Sequence, residues 1–300
     1  MPVFTLWLWP LLALILLPGL LVYLGLHIVE RGVIFVDLAL AQVAALGVAV
    51  AILWGADPGH GPLAYLMALL FTFVGAAIFT MTRFRHPRVP QEAIIGIVYI
   101  VSAAAAVIVL SKTAEGDEAI KNLLVGNILL VTRSAVLKTF ALFLAISVFH
   151  LVFRRRFMQV SFDLEGVLAQ GVNPRLWDFL FYVTFGFAVT SFVQIAGVYL
   201  VFSYLIVPAV CGALLSAHTP ARLAIGWIVA FLAGVSGLVL STEWKAMDLP
   251  TGPAIVCTFG VLLLLAGVLT AALRARRTTE AGAAADRPRQ RPHPGAMMGG

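Results

Sequence analysis

Long apolar runs, broken by short polar punctuation, organise the chain. A membrane-crossing helix needs about 20 apolar residues. Runs of that length fall near residues 4–26, 33–54, 62–82, 92–110, 134–153, 175–194, 197–216, 222–241 and 252–273. The run at 175–194 is almost continuous with the one at 197–216, so the pattern predicts eight or nine spans. The fold class is therefore an all-α polytopic helix bundle, occupying residues 1–274. From 275 to 300 the sequence turns rich in Ala, Gly and Pro and predicts a disordered tail. No Lys or Arg precedes Arg31, whereas a cleaved secretory leader opens with positive charge. The first run is read as a retained span.

Two stretches break this rhythm. Residues 111–132 are polar with a short apolar middle, too short to cross. The other, Arg154 to Gly171, reads RRRFMQVSFDLEGVLAQG, too charged to cross and too apolar for an idle loop. Its spacing predicts a short amphipathic helix with Leu164, Val167 and Leu168 on one face. Ser161 is placed as N-cap, with Asp163 and Glu165 in the first turns. Gly171 ends the helix; Asn173 caps the next span and Pro174 opens it. Either the inner leaflet or a cytosolic partner would cover the apolar face.

Composition agrees with the pattern. The chain has 300 residues, 61% hydrophobic and 11% charged, with a mean hydropathy of +1.01. Its net charge of +6 is read as a topology signal, not a nucleic-acid footprint, because the arginines cluster in short loops. Fifteen of the 20 Lys and Arg fall on one side if the N-terminus is outside. They are Arg31, Arg83, Arg85, Arg88, Arg154 to Arg156, Arg175, Arg222 and the arginines from Arg274 onward. Lys112, Lys121, Arg133, Lys138 and Lys245 remain outside. The C-terminus and the 154–171 segment are then cytoplasmic. Cys211 and Cys257 lie within apolar runs and are read as packing residues.

Candidate chemistry is sparse. Nucleotide-binding, zincin and nucleophile-elbow motifs are absent from the sequence. Transport is left as the leading class, with no cofactor expected. A secondary transporter, or a scaffold lacking an ATPase partner, is the alternative. Asp57, His60, Glu243 and Asp248 fall on predicted outward loops, as solvated charges or as a cation-steering outer mouth. Asp37, an acid in the second span, is a functional candidate because charge at membrane depth is costly. It could pair with Arg31 near the cytoplasmic end, line the pathway, or bond within a dimer.

Five stretches resemble, in order, the membrane subunit of manganese/zinc/iron-type ABC importers, the ABC-3 permease family. They are PQEAIIGIVY (90–99), LLVGNILLVT (123–132), FMQVSFDLEGVLAQGVN (157–173), IAGVYLVFSYLIVPAVCGALLS (195–216) and DLPTGPAIV (248–256). The resemblance implies a permease working with a second permease copy, identical or not, a cytosolic ATPase dimer and an extracytoplasmic metal-binding protein in a bacterial inner membrane. The 154–171 segment would be the coupling element, with Phe162, Asp163, Leu164 and Leu168 against the ATPase. Zinc, manganese or iron would be the cargo. In many family members the second span carries Asp-Ala-Leu-Ser-His, whose Asp and His are thought to contact the metal. Here FVDLALAQVAALG (35–47) puts Leu38 and Gln42 at those positions, with an acid one position early at Asp37. Gln42 is thus the pathway candidate at the place of the missing His.

Overall fold

The computed structural model describes residues 3–56, 61–83, 89–113, 124–126, 128–243 and 249–285, with backbone alone for 3–7, Leu17 and 276–285. Among the described residues, eleven α-helices with defined bounds follow one another: α1 (Val3–Arg31), α2 (Val36–Leu53), α3 (Pro62–Thr82), α4 (Gln91–Leu110), α5 (Arg133–Val152), α6 (Arg154–Phe162), α7 (Leu164–Ala169), α8 (Pro174–Ala196), α9 (Val198–Leu215), α10 (Thr219–Glu243) and α11 (Thr251–Ala285). A 3₁₀ turn, Ile128–Leu130, precedes α5. Nine of these helices, all but α6 and α7, are long and apolar enough to cross a membrane.

The break between α8 and α9 decides nine spans over eight. It consists of Gly197 alone, with φ 78° and ψ 161°, a region open essentially only to glycine. Gly126, also at positive φ, lies against it. A Cβ added to Gly197 would fall 2.5 Å from the Gly126 nitrogen. Two glycines from separate stretches therefore meet back to back and let the chain reverse within one residue.

Burial grades the spans from a central group to an outer one, with α3 and α10 between. In α1, α2, α8 and α9, 61–67% of the apolar window is buried, against 22% in α4, α5 and α11. The first group forms the centre, and the outer helices present apolar side chains such as Leu264, Ile108 and Leu151 to their surroundings. Small residues allow the central helices to approach closely. Ala41, Ala45 and Ala49 are all buried, and a Cβ on Gly47 would lie 2.5 Å from the Met67 carbonyl oxygen on α3. Cys211 is buried, whereas Cys257 is exposed on α11.

One end of the bundle gathers the polar contacts. Arg31, Phe35, Arg83, Glu92, Ser161 and Asp178 meet there. Glu30 and Arg222 form an ion pair nearby. At the opposite end lie the two glycines and the Ser241–Thr251 hydrogen bond of 3.1 Å.

Residues 275–285 differ from the expected disordered tail. The last helix continues through them to Ala285, carried by alanine and arginine, both good helix formers. Residues 286–300 lie outside the described residues.

Candidate functional site

The segment between α5 and α8 is two short helices, each with residues that anchor it to the spans and residues that stay exposed. Helix α6 begins directly after Phe153 and carries Phe157 and Val160 on one face, both buried. Phe157 enters an aromatic cage. Its ring stacks on His150 at 4.2 Å and meets Trp177 edge-on at 5.5 Å. Phe149 and Phe181 close the cage at 5.8 and 6.3 Å. His150 is itself held by the Thr184 hydroxyl, 2.8 Å away.

Asp163 then breaks the helix and starts the next. Its backbone leaves the helical region at φ −144° and ψ 66°, and its side chain accepts from the Gly166 nitrogen at 3.0 Å. This corrects the expected cap: Asp163, not Ser161, closes the N-terminus of α7. A short carboxylate there satisfies an orphan donor and complements the helix dipole. The C-terminus ends as the sequence suggests. Gly171 sits at φ 66°, its nitrogen donating to the Leu168 carbonyl at 3.1 Å, and Val172 donates to the Val167 carbonyl at 3.3 Å. That is a Schellman ending. Asn173 accepts from the Arg175 nitrogen at 3.0 Å, and Pro174 takes the first helical position.

The predicted apolar face of the segment divides. Val167 turns into the bundle and is buried, Leu164 is half-buried, and Leu168 is 57% exposed. Phe162 is 39% exposed, and Asp163 and Glu165 are exposed beside it. The segment therefore grips its own spans through Phe157, Val160 and Val167. Phe162, Asp163 and Leu168 face outward.

Beneath it lies an ion cluster that includes an acid the sequence reading does not single out. Asp178 Oδ1 accepts from Arg31 Nη1 at 2.8 Å and from Arg83 Nη1. The Arg31 and Asp178 side chains have no exposed surface. Buried charges persist when paired and hydrogen-bonded. The Arg31 guanidinium also lies 3.8 Å from the Phe181 ring centroid. Sequence carried one usable signal, an acid in the second turn of an otherwise apolar span.

Asp37 is separate from this cluster. It occupies the first turn of α2, is buried, and its Oδ1 has no hydrogen-bond partner among the described residues. The pairing with Arg31 considered from sequence does not form, because Asp178 holds that guanidinium. The neighbour of Asp37 is instead another acid, Glu92. Glu92 Oε1 accepts from the Phe35 nitrogen at 3.0 Å, and its Oε2 is likewise without a partner. Gln42 is buried further along α2, at 6% exposure. Among the described residues, no three His, Cys, Asp or Glu side chains gather closely enough to hold a metal ion. Glu243 ends α10 and is exposed. Asp57, His60 and Asp248 lie outside the described residues.

Nine membrane-length helices among the described residues, with an anchored helical segment at one end, define the class of multi-pass membrane protein. Comparison with known proteins gives the family. The model of the ABC 3 transport family matches residues 4–270. The manganese transport system membrane protein MntC of Halalkalibacterium halodurans is 23% identical over 267 residues, covering 87% of this chain and 88% of its own. The "Probable metal transport system membrane protein" of Thermotoga maritima is 29% identical over 230 residues, covering 76% of this chain and 77% of its own. The solved structure of PsaBC from Streptococcus pneumoniae in complex with Fab superposes with a TM-score of 0.71 at 22% identity, covering 86% of this chain and 89% of that one. The chain belongs to the ABC 3 transport family. It is a permease subunit, not an enzyme, and it works with a separate ATPase and a substrate-binding protein.

Proposed function

We propose that this chain is the permease of an importer that carries a divalent metal ion (manganese, zinc or iron) across a bacterial cytoplasmic membrane. The observation that carries the coupling half of this reading is the division of the 154–171 segment. Anchoring residues face the spans, while Phe162 and Leu168 stay exposed although apolar. An exposed apolar pair flanked by acids suits a partner groove better than an anionic leaflet. Phe162, Asp163, Leu164 and Leu168 then contact the ATPase, with Asp163 beside a basic residue there. The metal cargo is supported by the relatives, which are named for manganese and metal transport.

The functional unit in this reading is two identical permease copies, an ATPase dimer and an extracytoplasmic metal-binding protein. The lysine and arginine distribution supports an outside N-terminus and a cytoplasmic C-terminus. The polar end of the bundle, with Arg31, Arg83, Arg154 and Arg222, is then the cytoplasmic one. Gln42 lines the cargo pathway, whereas Asp37 points away from it and acts in assembly. Such a path passes an ion without holding it tightly, and affinity resides in the binding protein. Asp57, His60, Glu243 and Asp248 mark the outer mouth.

Copurification is the test. Wild-type permease brings down its ATPase, whereas Phe162→Ala and Asp163→Arg insert normally and lose it. Full ATPase recovery with both variants would remove the coupling assignment.

A further inference from the structure

The coupling segment touches the spans through a side chain that the docking reading leaves unused. Among the described residues, both side-chain hydrogen bonds from α6 and α7 into the spans run through Ser161. Its Oγ accepts from Arg31 Nε at 2.9 Å and pairs with His27 Nδ1 at 2.8 Å. Arg31 in turn donates Nη1 to Asp178 Oδ1 at 2.8 Å, and Arg83 donates to that same oxygen. One buried guanidinium thus joins the coupling segment to α8, and one carboxylate oxygen joins α1, α3 and α8.

The pattern of unpartnered atoms gives this cluster a second arrangement. Arg31 Nη2 and Asp178 Oδ2 are buried without partners among the described residues. A guanidinium and a carboxylate prefer to meet through two parallel hydrogen bonds. Here Nε donates to Ser161 while Nη1 alone reaches Asp178, so the pairing uses one carboxylate oxygen. If the segment moves away, Nε is released and the fork can turn until Nη1 and Nη2 face both carboxylate oxygens. The Asp178 oxygen now shared with Arg83 is then reoriented, and the tie between α3 and α8 changes. The buried orphan donor and acceptor on the two partners of one ion pair leave a second, two-bond pairing open to them.

We infer that Ser161 is a positioning residue for transport, holding Arg31 in a one-oxygen pairing with Asp178 so that movement of the coupling segment is relayed to α1, α3 and α8. The relay rests on the permease reading above but not on the identity of the cargo. It deepens that reading by separating the residues that receive the ATPase from the residue that passes its motion on.

The test uses the full complex with its ATPase in nanodiscs, and spin labels on Met81→Cys of α3 and Leu176→Cys of α8, both exposed positions. Nucleotide shifts the label distance in the otherwise wild-type complex. Ser161→Ala removes the shift while ATPase recruitment and basal ATP hydrolysis stay unchanged. Ser161→Thr, which keeps a hydroxyl, restores it. In proteoliposomes, metal moved per ATP falls by about fivefold or more in Ser161→Ala, the size of a typical coupling effect. A label shift in Ser161→Ala equal to wild type would overturn the relay, as would a wild-type complex with no shift. Loss of recruitment in step with transport would reassign Ser161 to docking. Failure of the wild-type complex to move any divalent cation, with the label result intact, would count against the metal reading and leave the relay standing.

Discussion

Phe157→Ala separates anchoring from docking most sharply. Phe157 is fully buried and meets four aromatic rings, those of His150, Trp177, Phe149 and Phe181. Truncating a buried phenylalanine costs about 3–5 kcal/mol. The rings account for part of that, at about 0.5–1.5 kcal/mol for each favourable pair. Phe162 is 39% exposed, and among the described residues its ring meets only His27, at a centroid distance of 6.0 Å. Its truncation should cost about 1 kcal/mol or less in the free permease. At this chain length a kcal/mol moves the midpoint by about 2 °C. Phe157→Ala should therefore lower the melting midpoint of the detergent-solubilised permease by about 6–10 °C, and Phe162→Ala by about 2 °C or less. Tryptophan fluorescence during heating is a direct assay, because Trp177 lines the Phe157 cage. Equal shifts for the two variants, or none for Phe157→Ala, would refute the division of the segment into anchored and exposed faces.

Three further outcomes are expected. Gly197→Ala should lose about 1–3 kcal/mol from backbone strain alone, with more from the approach to Gly126, so its yield of folded protein should fall well below that of Gly19→Ala, whose site has open space. Gln42→Leu should impair cargo transport with normal assembly, whereas Asp37→Asn should act mainly on assembly; a changed metal preference in Asp37→Asn, with Gln42→Leu normal, would reverse the two roles. An impermeant thiol reagent should label Gly59→Cys and not Arg155→Cys in intact cells, in a background with both native cysteines replaced, and the opposite pattern would invert the topology.

Much of the scaffold is legible in the sequence because membrane spans announce themselves by length and hydropathy. The 154–171 segment is legible too, since Gly171, Asn173 and Pro174 act locally and the structure uses each as expected. What the sequence conceals is pairing across distance. Ser161 reads as a local helix cap, yet its partners, His27 and Arg31, are 134 and 130 residues away. No local rule separates those readings. Arg31 reads as a partner for Asp37, its near neighbour in sequence, but the fold brings Asp178, 147 residues away, to its guanidinium instead. The number of spans turns on Gly197, whose positive φ depends on Gly126, a residue from a separate stretch. Leu164, Val167 and Leu168 illustrate the same limit: helical spacing groups them on one face, while the angle at which α7 meets the bundle buries one and exposes another.

Uptake of labelled manganese, zinc and iron tests the central claim most directly, in cells lacking this chain and in cells restored with wild type or Phe162→Ala. The account predicts that loss of the chain lowers accumulation of at least one of these cations, that wild type restores it, and that Phe162→Ala reaches the membrane but does not. Unchanged accumulation of all three cations in cells lacking the chain, or full restoration by Phe162→Ala, would contradict it.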